Sequence, residues 1–351
     1  MWAFYLATAV GIVHAGPLSD RRGRKWVLVC GCALFAVGSL VCMAAPGVES
    51  LAAARVFEAL GFGFIEVVVG AIASDAYSGH SLKFATTLIQ SVVLVGPAIA
   101  PFLGTFVILA AGWRAVFAVL AGLGIACIIV ACLVTETMDD SVRLRESMGA
   151  ALAATARKAR VLLENRAFSC MALEMGVESI PLSAFVSVSS YIFISFFGTS
   201  YTEYCVAYAT VFAVSIASPY LYMALSGRMA TGPIAVLTIV LLAASGAGLS
   251  APGLAGPVLF VALFLPCVVA EGMIRPMVYV EVLDQPQEFA GTASSVANLS
   301  YYVFFALAAV LATLPWPNFV VGIAVLALVC AAVSGFLETA RRLGLLHAHM
   351  R

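Results

Sequence analysis

A short polar stretch with the sequence Gly16-Pro-Leu-Ser-Asp-Arg-Arg-Gly-Arg-Lys25 joins two apolar segments near the start of this chain. Half of its residues are charged, although only 10% of the 351 residues are charged and 63% are hydrophobic. Soluble domains carry about 25% charged residues, so a chain this apolar could not cover its own surface in water. The composition excludes a soluble enzyme or nucleic-acid-binding protein and indicates a polytopic membrane protein.

Apolar runs on both sides of this stretch continue along almost the whole chain. A helix needs roughly 20 apolar residues to cross the hydrocarbon core of a bilayer. The runs are continuously apolar rather than alternating, which excludes a transmembrane barrel. We therefore predict an all-α polytopic membrane protein whose eleven transmembrane helices lie at residues 1–16, 26–46, 50–74, 84–111, 113–135, 167–196, 203–226, 232–250, 254–280, 290–314 and 317–338.

The first of these runs resembles a signal peptide in position but not in sequence. It lacks a basic n-region and an A-x-A-like cleavage site, and we interpret it as a span. The nine cysteines all lie in apolar stretches, without a C-x-x-C pair or zinc-type spacing. We interpret them as small buried residues and expect no disulfide, metal or cofactor.

Positive charge lies almost entirely in alternate connections between the predicted spans. Apart from Arg55, Arg114 and Arg275, every Lys and Arg falls within segments 17–25, 75–83, 136–166, 227–231 and 339–351. Cytoplasmic loops carry the excess of Lys and Arg. The pattern predicts that these segments are cytoplasmic, with the N-terminus outside and the C-terminus inside.

The longest hydrophilic stretch separates five predicted spans from six. We predict an N-terminal bundle at 1–135, a cytoplasmic linker at 136–166, a C-terminal bundle at 167–338 and a cytoplasmic tail at 339–351. The linker has a helix-favouring composition and a basic end, which predicts a helix along the membrane surface. Two bundles joined by a cytoplasmic linker are the arrangement of repeat-built transporters.

Four stretches carry a resemblance to a known family. Residues 16–25 resemble the G-x-L-a-D-r-x-G-r-k signature of the major facilitator superfamily, and residues 55–61 resemble its R-x-x-x-x-x-G pattern in the fourth helix. Residues 96–104 are similar to the antiporter motif of the fifth helix. Residues 290–295 are similar to the start of the eleventh helix in bicyclomycin/chloramphenicol (Bcr/CflA) type drug–proton antiporters. The resemblance implies the major facilitator fold, two helical bundles around a central cavity.

The resemblance also implies roles for two of these motifs. It implies a cytoplasmic latch formed by Gly16, Asp20, Arg21, Gly23, Arg24 and Lys25. The two glycines would allow a tight turn, and Asp20 would lie near the N-terminus of the helix that begins about Ala290. It further implies a kinked gating helix formed by Gly96, Pro97, Pro101 and Gly104. Ordinary close packing of a membrane helix is the alternative for this second set.

This chain departs from the family pattern at its start and in one helix. The first predicted span matches the family's second helix, so we expect the family's first helix, and the proton-carrying acid it bears, to be missing. Glu58 and Glu66 stand where the branch has a neutral polar and an apolar residue.

Charged residues within the predicted spans are candidates for proton coupling or for lining a cavity, because charge inside a membrane is costly. They are Arg55, Glu58, Glu66, Glu174, Glu178, Glu271 and Arg275. At 100° per residue the first three share one helix face. Structural ion pairing is the alternative for the first three, and we favour it for Glu271 and Arg275, which have i,i+4 spacing. Glu174 and Glu178 also have i,i+4 spacing, which opposes ionisation of both, but they could instead reach water.

Glu66 is the favoured proton carrier at this point. It has no basic neighbour in the sequence, and about 16 Å of helix separates it from Arg55 at 1.5 Å per residue. A carboxyl group in a low-dielectric cavity holds a proton until water or a cation reaches it.

Residues and resemblance together predict a secondary active transporter that exports drugs or other small amphipathic molecules in exchange for protons, and so confers antibiotic resistance. We expect a monomer in the bacterial inner membrane that contacts lipid, its substrate and protons, but no nucleic acid. No catalytic constellation marks an enzyme. Two alternatives stay open: an uptake or metabolite transporter of the same fold, and a truncated remnant or subunit that does not transport.

Overall fold

Residues 2–77, 79–138, 147–251, 256–283 and 287–343 are described by a computed structural model, and they form helices joined by short connections. The helices are α1 (Trp2–Arg22), α2 (Arg24–Ala44), α3 (Val48–Ala76), α4 (Gly79–Ala111), α5 (Trp113–Leu133), α6 (Met148–Glu164), α7 (Arg166–Ser190), α8 (Tyr201–Ser226), α9 (Thr231–Leu249), α10 (Pro257–Leu283), α11 (Gln287–Leu311) and α12 (Phe319–Arg342). A π-helical segment, Tyr191–Phe196, continues α7.

The predicted all-helical membrane architecture is confirmed. Each of the eleven predicted spans coincides with one helix, α1 to α5 or α7 to α12. Within the described residues, nine helices are long and apolar enough to cross a membrane: α2, α3, α5 and α7 to α12. In α4 the apolar part is a shorter segment, Val95–Ala111, and α1 is not among the nine. The count of eleven spans therefore stays a prediction.

The predicted linker contains one helix, α6, of 17 residues. Its basic residues Arg157, Lys158 and Arg160 are exposed, whereas Ala151 and Leu162 are buried. Residues 139–146 of the linker, 284–286 of the turn before α11, and 344–351 of the tail lie outside the described residues.

The chain divides into two units. The first comprises Ala3–Val93 and Leu103–Arg157, and in it α2 packs against α3 and α5. The second comprises Leu94–Phe102 and the described part of Lys158–Arg351. In this second unit α7 packs against α10, α11 and α12, and α9 packs against α10 and α12.

Close contact between helix backbones holds the first unit together. A Cβ atom at Gly61 of α3 would lie 2.5 Å from the Phe35 nitrogen and 2.6 Å from the Gly31 oxygen, both on α2. A Cβ atom at Gly63 would lie 2.5 Å from the Thr8 oxygen on α1. Small residues allow this approach, and in a bilayer packing of this kind drives helix association.

Stacked aromatic rings fill the core of the second unit. Phe185 of α7 lies 4.9 Å from Phe264 and 6.2 Å from Phe260, both on α10, measured between ring centroids. Phe193, in the π-helical segment, is fully buried and contacts Phe260 edge to face. The core therefore lies inside the helix group rather than at a lipid-facing surface.

The close backbone contact at Gly61 can be tested by adding one methyl group. Gly61→Ala should destabilise the protein by about 1–3 kcal/mol, because the new Cβ must push apart two backbones. Gly70→Ala, on the same helix, is the control, since its Cβ meets nothing within 4 Å in the described structure. Thermal unfolding in detergent, followed by labelling of the buried cysteines, measures both. Equal melting temperatures for the two variants would contradict the contact.

Candidate functional site

The polar stretch at residues 16–25 contains a one-residue connection between two helices. Helix α1 continues to Arg22, and α2 begins at Arg24. Only Gly23 lies between them, with φ of 96°, a conformation that glycine adopts without strain. The predicted two-glycine turn is wrong in this respect: Gly16 lies within α1, and its Cβ position meets nothing within 4 Å among the described residues.

Arg24 is the centre of a network at this end of the first unit. Its Nε donates to Asp75 Oδ2 at 2.9 Å, and its Nη1 donates to Ser19 Oγ at 2.7 Å. Its Nη1 also pairs with the carboxylate of Asp20, four residues earlier. Asp20 thus binds Arg24 within its own unit, and its expected place near the N-terminus of the helix that begins about Ala290 stays a prediction.

Glu136 completes the network, and the sequence analysis missed it. Its carboxylate accepts hydrogen bonds from the backbone nitrogens of Arg24 at 2.9 Å and Lys25 at 3.3 Å. A carboxylate at a helix N-terminus satisfies unpaired N–H groups and stabilises the helix dipole. The Lys25 ammonium in turn donates to the Cys132 carbonyl at 2.7 Å. The ends of α1, α2, α3 and α5 are therefore joined by charged hydrogen bonds.

Arg55 and Glu58 form the ion pair that their i,i+3 spacing predicts. Arg55 Nη1 lies 2.7 Å from Glu58 Oε2, and Ser39 Oγ donates to Glu58 Oε1 at 2.8 Å. Glu58 is fully buried. The Arg55 guanidinium also lies 4.3 Å from the Phe4 ring centroid and 6.0 Å from that of Phe117, within the range of cation–π attraction. The pair thus contacts α1, α2 and α5.

Glu66 differs from its expectation. It is half-buried on α3, and it has an interaction partner in the structure. Glu66 is therefore not a lone carboxyl that must hold a proton, although it stays a candidate for proton coupling.

Glu174 and Glu178 are both buried on α7, with 2% and 1% of their surface exposed. Thr238 Oγ1 on α9 lies 3.2 Å from Glu178 Oε1 and 2.9 Å from the Ala235 carbonyl oxygen. Glu174 Oε1 and Glu178 Oε2 are buried without a hydrogen-bond partner among the described residues. The alternative that both carboxyls reach water through long side chains does not hold for this structure.

Glu271 is also buried in the second unit. The Tyr301 hydroxyl donates to Glu271 Oε1 at 3.4 Å, and the Arg275 guanidinium lies 4.2 Å from the Tyr301 ring centroid. Arg275 also acts electrostatically on Glu271. Tyr301, which the charge pattern could not reveal, connects the two charged residues on α10 to α11.

The glycine and proline residues of the predicted gating helix lie on α4, which continues through Pro97 and Pro101. The Cβ positions of Gly96 and Gly104 meet nothing within 4 Å among the described residues. Close packing therefore does not account for these two glycines.

Nine described helices are long and apolar enough to cross a membrane, and they enclose buried charged residues, which defines a polytopic membrane protein. A family model for the Major Facilitator Superfamily matches residues 1–309. The chain belongs to the major facilitator superfamily.

Curated relatives support the same assignment. Multidrug transporter MdfA of Yersinia pestis bv. Antiqua (strain Angola) is 30% identical over 213 residues, which cover 61% of this chain and 51% of that protein. Multidrug resistance protein MdtL of Escherichia fergusonii is 29% identical over 218 residues, or 61% and 54%. The chain spans about half the length of these two relatives. Uncharacterized MFS-type transporter YdgK of Bacillus subtilis (strain 168) is 25% identical over 85% of this chain and 74% of that protein.

Solved structures show the same fold. The proton:xylose symporter XylE bound to 6-bromo-6-deoxy-D-glucose has a TM-score of 0.71 at 12% identity, with 97% of this chain and 84% of that chain covered. An inward-open structure of XylE from E. coli has a TM-score of 0.67 at 14% identity, with 95% and 84% covered. At these identities the likeness concerns the fold alone.

The Arg55–Glu58 pair can be tested through stability. Arg55→Ala leaves the Glu58 carboxylate buried without its cation and should cost about 3 kcal/mol. The double variant Arg55→Ala/Glu58→Gln should recover part of this loss, because it removes the unpaired charge. Arg160→Ala is the control, since Arg160 forms an exposed pair with Glu164 at 3.3 Å and such pairs contribute little. Thermal unfolding of all three measures the effect. No difference between Arg55→Ala and Arg160→Ala would show that the buried pair is not stabilising.

Proposed function

We propose that this protein exports small amphipathic molecules, including drugs, across the bacterial inner membrane in exchange for protons, by alternating access. The observation that carries the proposal is its membership of a transporter superfamily together with the similarity to relatives named as multidrug transporters. The resemblance of residues 290–295 to Bcr/CflA-type antiporters supports the same branch.

Proton coupling is supported by the chemistry of the buried charges. Buried carboxyl groups in a membrane protein are costly, and those that lack a cation can take up a proton. Glu58 and Glu338 each have an arginine within 2.7 Å. Glu178 has no cation among the charged groups that act on it, and Glu174, four residues earlier, has a buried oxygen without a hydrogen-bond partner among the described residues. These two carboxyls are therefore the candidates for proton exchange.

Orientation follows from the distribution of positive charge. Arg24 and Lys25 at one end of the first unit, and Arg341 and Arg342 at the end of α12, lie in segments that the charge pattern assigns to the cytoplasm. We propose that the Arg24 network acts as a cytoplasmic latch in the first unit. In the same scheme, residues 96–104 supply the gating helix.

The proposal can be tested in everted membrane vesicles from a bacterium that lacks its main efflux pumps. With the 351-residue chain present, an acid-inside pH gradient should drive ethidium into the vesicles faster than in vesicles without the chain. Nigericin, which collapses the pH gradient, should abolish the difference.

Three other results would each contradict the proposal, in its proton exchange, its direction or its transport activity. Ethidium accumulation that survives nigericin would exclude proton exchange. Uptake of sugars or other metabolites into right-side-out vesicles, without ethidium export, would favour an importer of the same fold. No transport in either orientation, with the protein folded in the membrane, would indicate that the chain does not transport by itself.

A further inference from the structure

A row of four buried carboxyl groups crosses the interior of the second unit. It runs from Glu338 on α12 through Glu174 and Glu178 on α7 to Glu271 on α10, and each of them is at most 3% exposed. Glu174 acts electrostatically on Glu178 and is itself affected by Glu338, and Glu271 also acts on Glu178. We call these four residues the carboxyl row.

Three members of the carboxyl row have an arginine nearby, and Glu178 has none among the charged groups that act on it. Glu338 accepts hydrogen bonds from Arg341 and Arg342, both at 2.7 Å. Arg275 acts on Glu271 at the other end. Glu178 has two other carboxyls as its charged neighbours, Glu174 and Glu271. An ionised Glu178 would therefore be a buried charge among charges of the same sign, which is strongly unfavourable.

Hydrogen-bond geometry at Thr238 also favours a proton on Glu178. A threonine hydroxyl has one hydrogen, and the Thr238 oxygen lies 2.9 Å from the Ala235 carbonyl and 3.2 Å from Glu178 Oε1. If Glu178 is ionised, both of these partner atoms are acceptors, and the single hydroxyl hydrogen of Thr238 can serve only one of them. If the carboxyl is protonated, it donates to Thr238, and Thr238 donates to Ala235, so both contacts are satisfied.

Other titratable or polar groups surround the pair on every helix packed against it. They are Cys170 on α7, Thr238 on α9, Cys267, Glu271 and Arg275 on α10, Tyr301 on α11, and Cys330, Ser334, Glu338 and Arg341 on α12. Ser334 on α12 lies beside the Glu178 carboxyl, and Glu174 Oε1 is buried without a hydrogen-bond partner among the described residues. A buried carboxyl oxygen left unpaired needs an explanation, and a proton carried by one of the two carboxyls supplies one.

The carboxyl row meets the surface beside Arg341. A surface depression of about 620 Å³ lies there, and it is lined by Ala167, Ala230, Gly232, Pro233, Glu338, Arg341 and Arg342. Glu174 lies seven residues from Ala167 on α7, or about 10 Å along the helix. Arg341, which lines the depression, also acts electrostatically on Glu174.

We propose that Glu174 and Glu178 share one exchangeable proton, and that the second unit releases this proton to water at the Arg341 depression. The proton moves from the carboxyl group of Glu178 to the carboxylate of Glu174, which leaves Glu178 ionised and the pair's total charge unchanged. Glu174 then gives the proton to water that enters the second unit from the depression during the transport cycle, and the pair stays without a proton only until the next one binds. Glu338 stays ionised in its pair with the two arginines. The shared proton itself does not depend on the proposed function. Its role in transport does rest on that function, because there it supplies the proton exchanged for substrate.

Infrared spectroscopy of the full chain in lipid nanodiscs tests the shared proton without any transport assay. At pH 7 the chain should show the C=O stretching band of a protonated carboxylic acid. Glu178→Gln and the double variant Glu174→Gln/Glu178→Gln should each lose that band. Glu164→Gln, an exposed acid at the end of α6, should keep it.

Chemical labelling of the unaltered chain tests the shared proton without depending on a variant that fails to fold. Dicyclohexylcarbodiimide reacts with protonated carboxyls in apolar surroundings, so mass spectrometry should find the modification on Glu174 or Glu178 and not on Glu164. A band that survives in the folded double variant, or labelling on Glu66 alone, would overturn the proposal. Loss of the band on addition of sodium ions at constant pH would assign the site to sodium instead.

Proton release connects the site to transport. Substrate added to the detergent-solubilised chain should release protons, and Glu178→Gln should abolish this release while Glu66→Gln preserves it. The reverse pattern would overturn the proposed path and place coupling in the first unit. If the band behaves as expected but ethidium is not exported, the shared proton stands and the proposed export fails.

Discussion

A charged side chain inside a bilayer-spanning helix has no water to solvate it, and the protein must supply an opposite charge, hydrogen bonds or a proton. The arrangement of both units follows from this requirement. In the first unit, Arg55 lies 2.7 Å from Glu58, and Arg24 donates to Asp75 at 2.9 Å. In the second unit Glu338, Glu174 and Glu271 each have an arginine nearby, and Glu178 has none that the described residues reveal. The proposed shared proton is the form of neutralisation that remains for a buried carboxyl of this kind.

The helices were predictable from sequence because the signal for each span is local. Long apolar runs separated by charged connections define where helices begin and end, and α2, α3, α5 and α7 to α12 agree with the predicted windows to within a few residues. The Arg55–Glu58 pair was predictable for the same reason, since three residues on one helix fix its geometry. The predicted tight turn was only half correct, because α1 continues through Gly16 and the connection is a single residue.

Partners from distant helices were not predictable. Glu136 caps α2 from more than a hundred residues away, and Thr238 and Tyr301 contact acids on other helices. Such contacts depend on how each helix is rotated about its axis. Helices that are apolar on all sides give no periodic signal for that rotation. The same limit applies to the interaction of Glu66. The sequence showed that Glu66 shares a helix face with Arg55, but it could not show that Glu66 has an interaction partner in the structure.

The single residue between α1 and α2 has a mechanical consequence. A one-residue connection has no slack, since consecutive Cα atoms are a fixed 3.8 Å apart. Any displacement of the end of α1 across the membrane must carry the start of α2 with it. Gly23 can rotate, but it cannot stretch, so the two helices can act as one lever with its pivot at this glycine. Because Arg24 is the next residue and binds Asp20 and Asp75, the pivot is also the point at which charge can hold the lever in place.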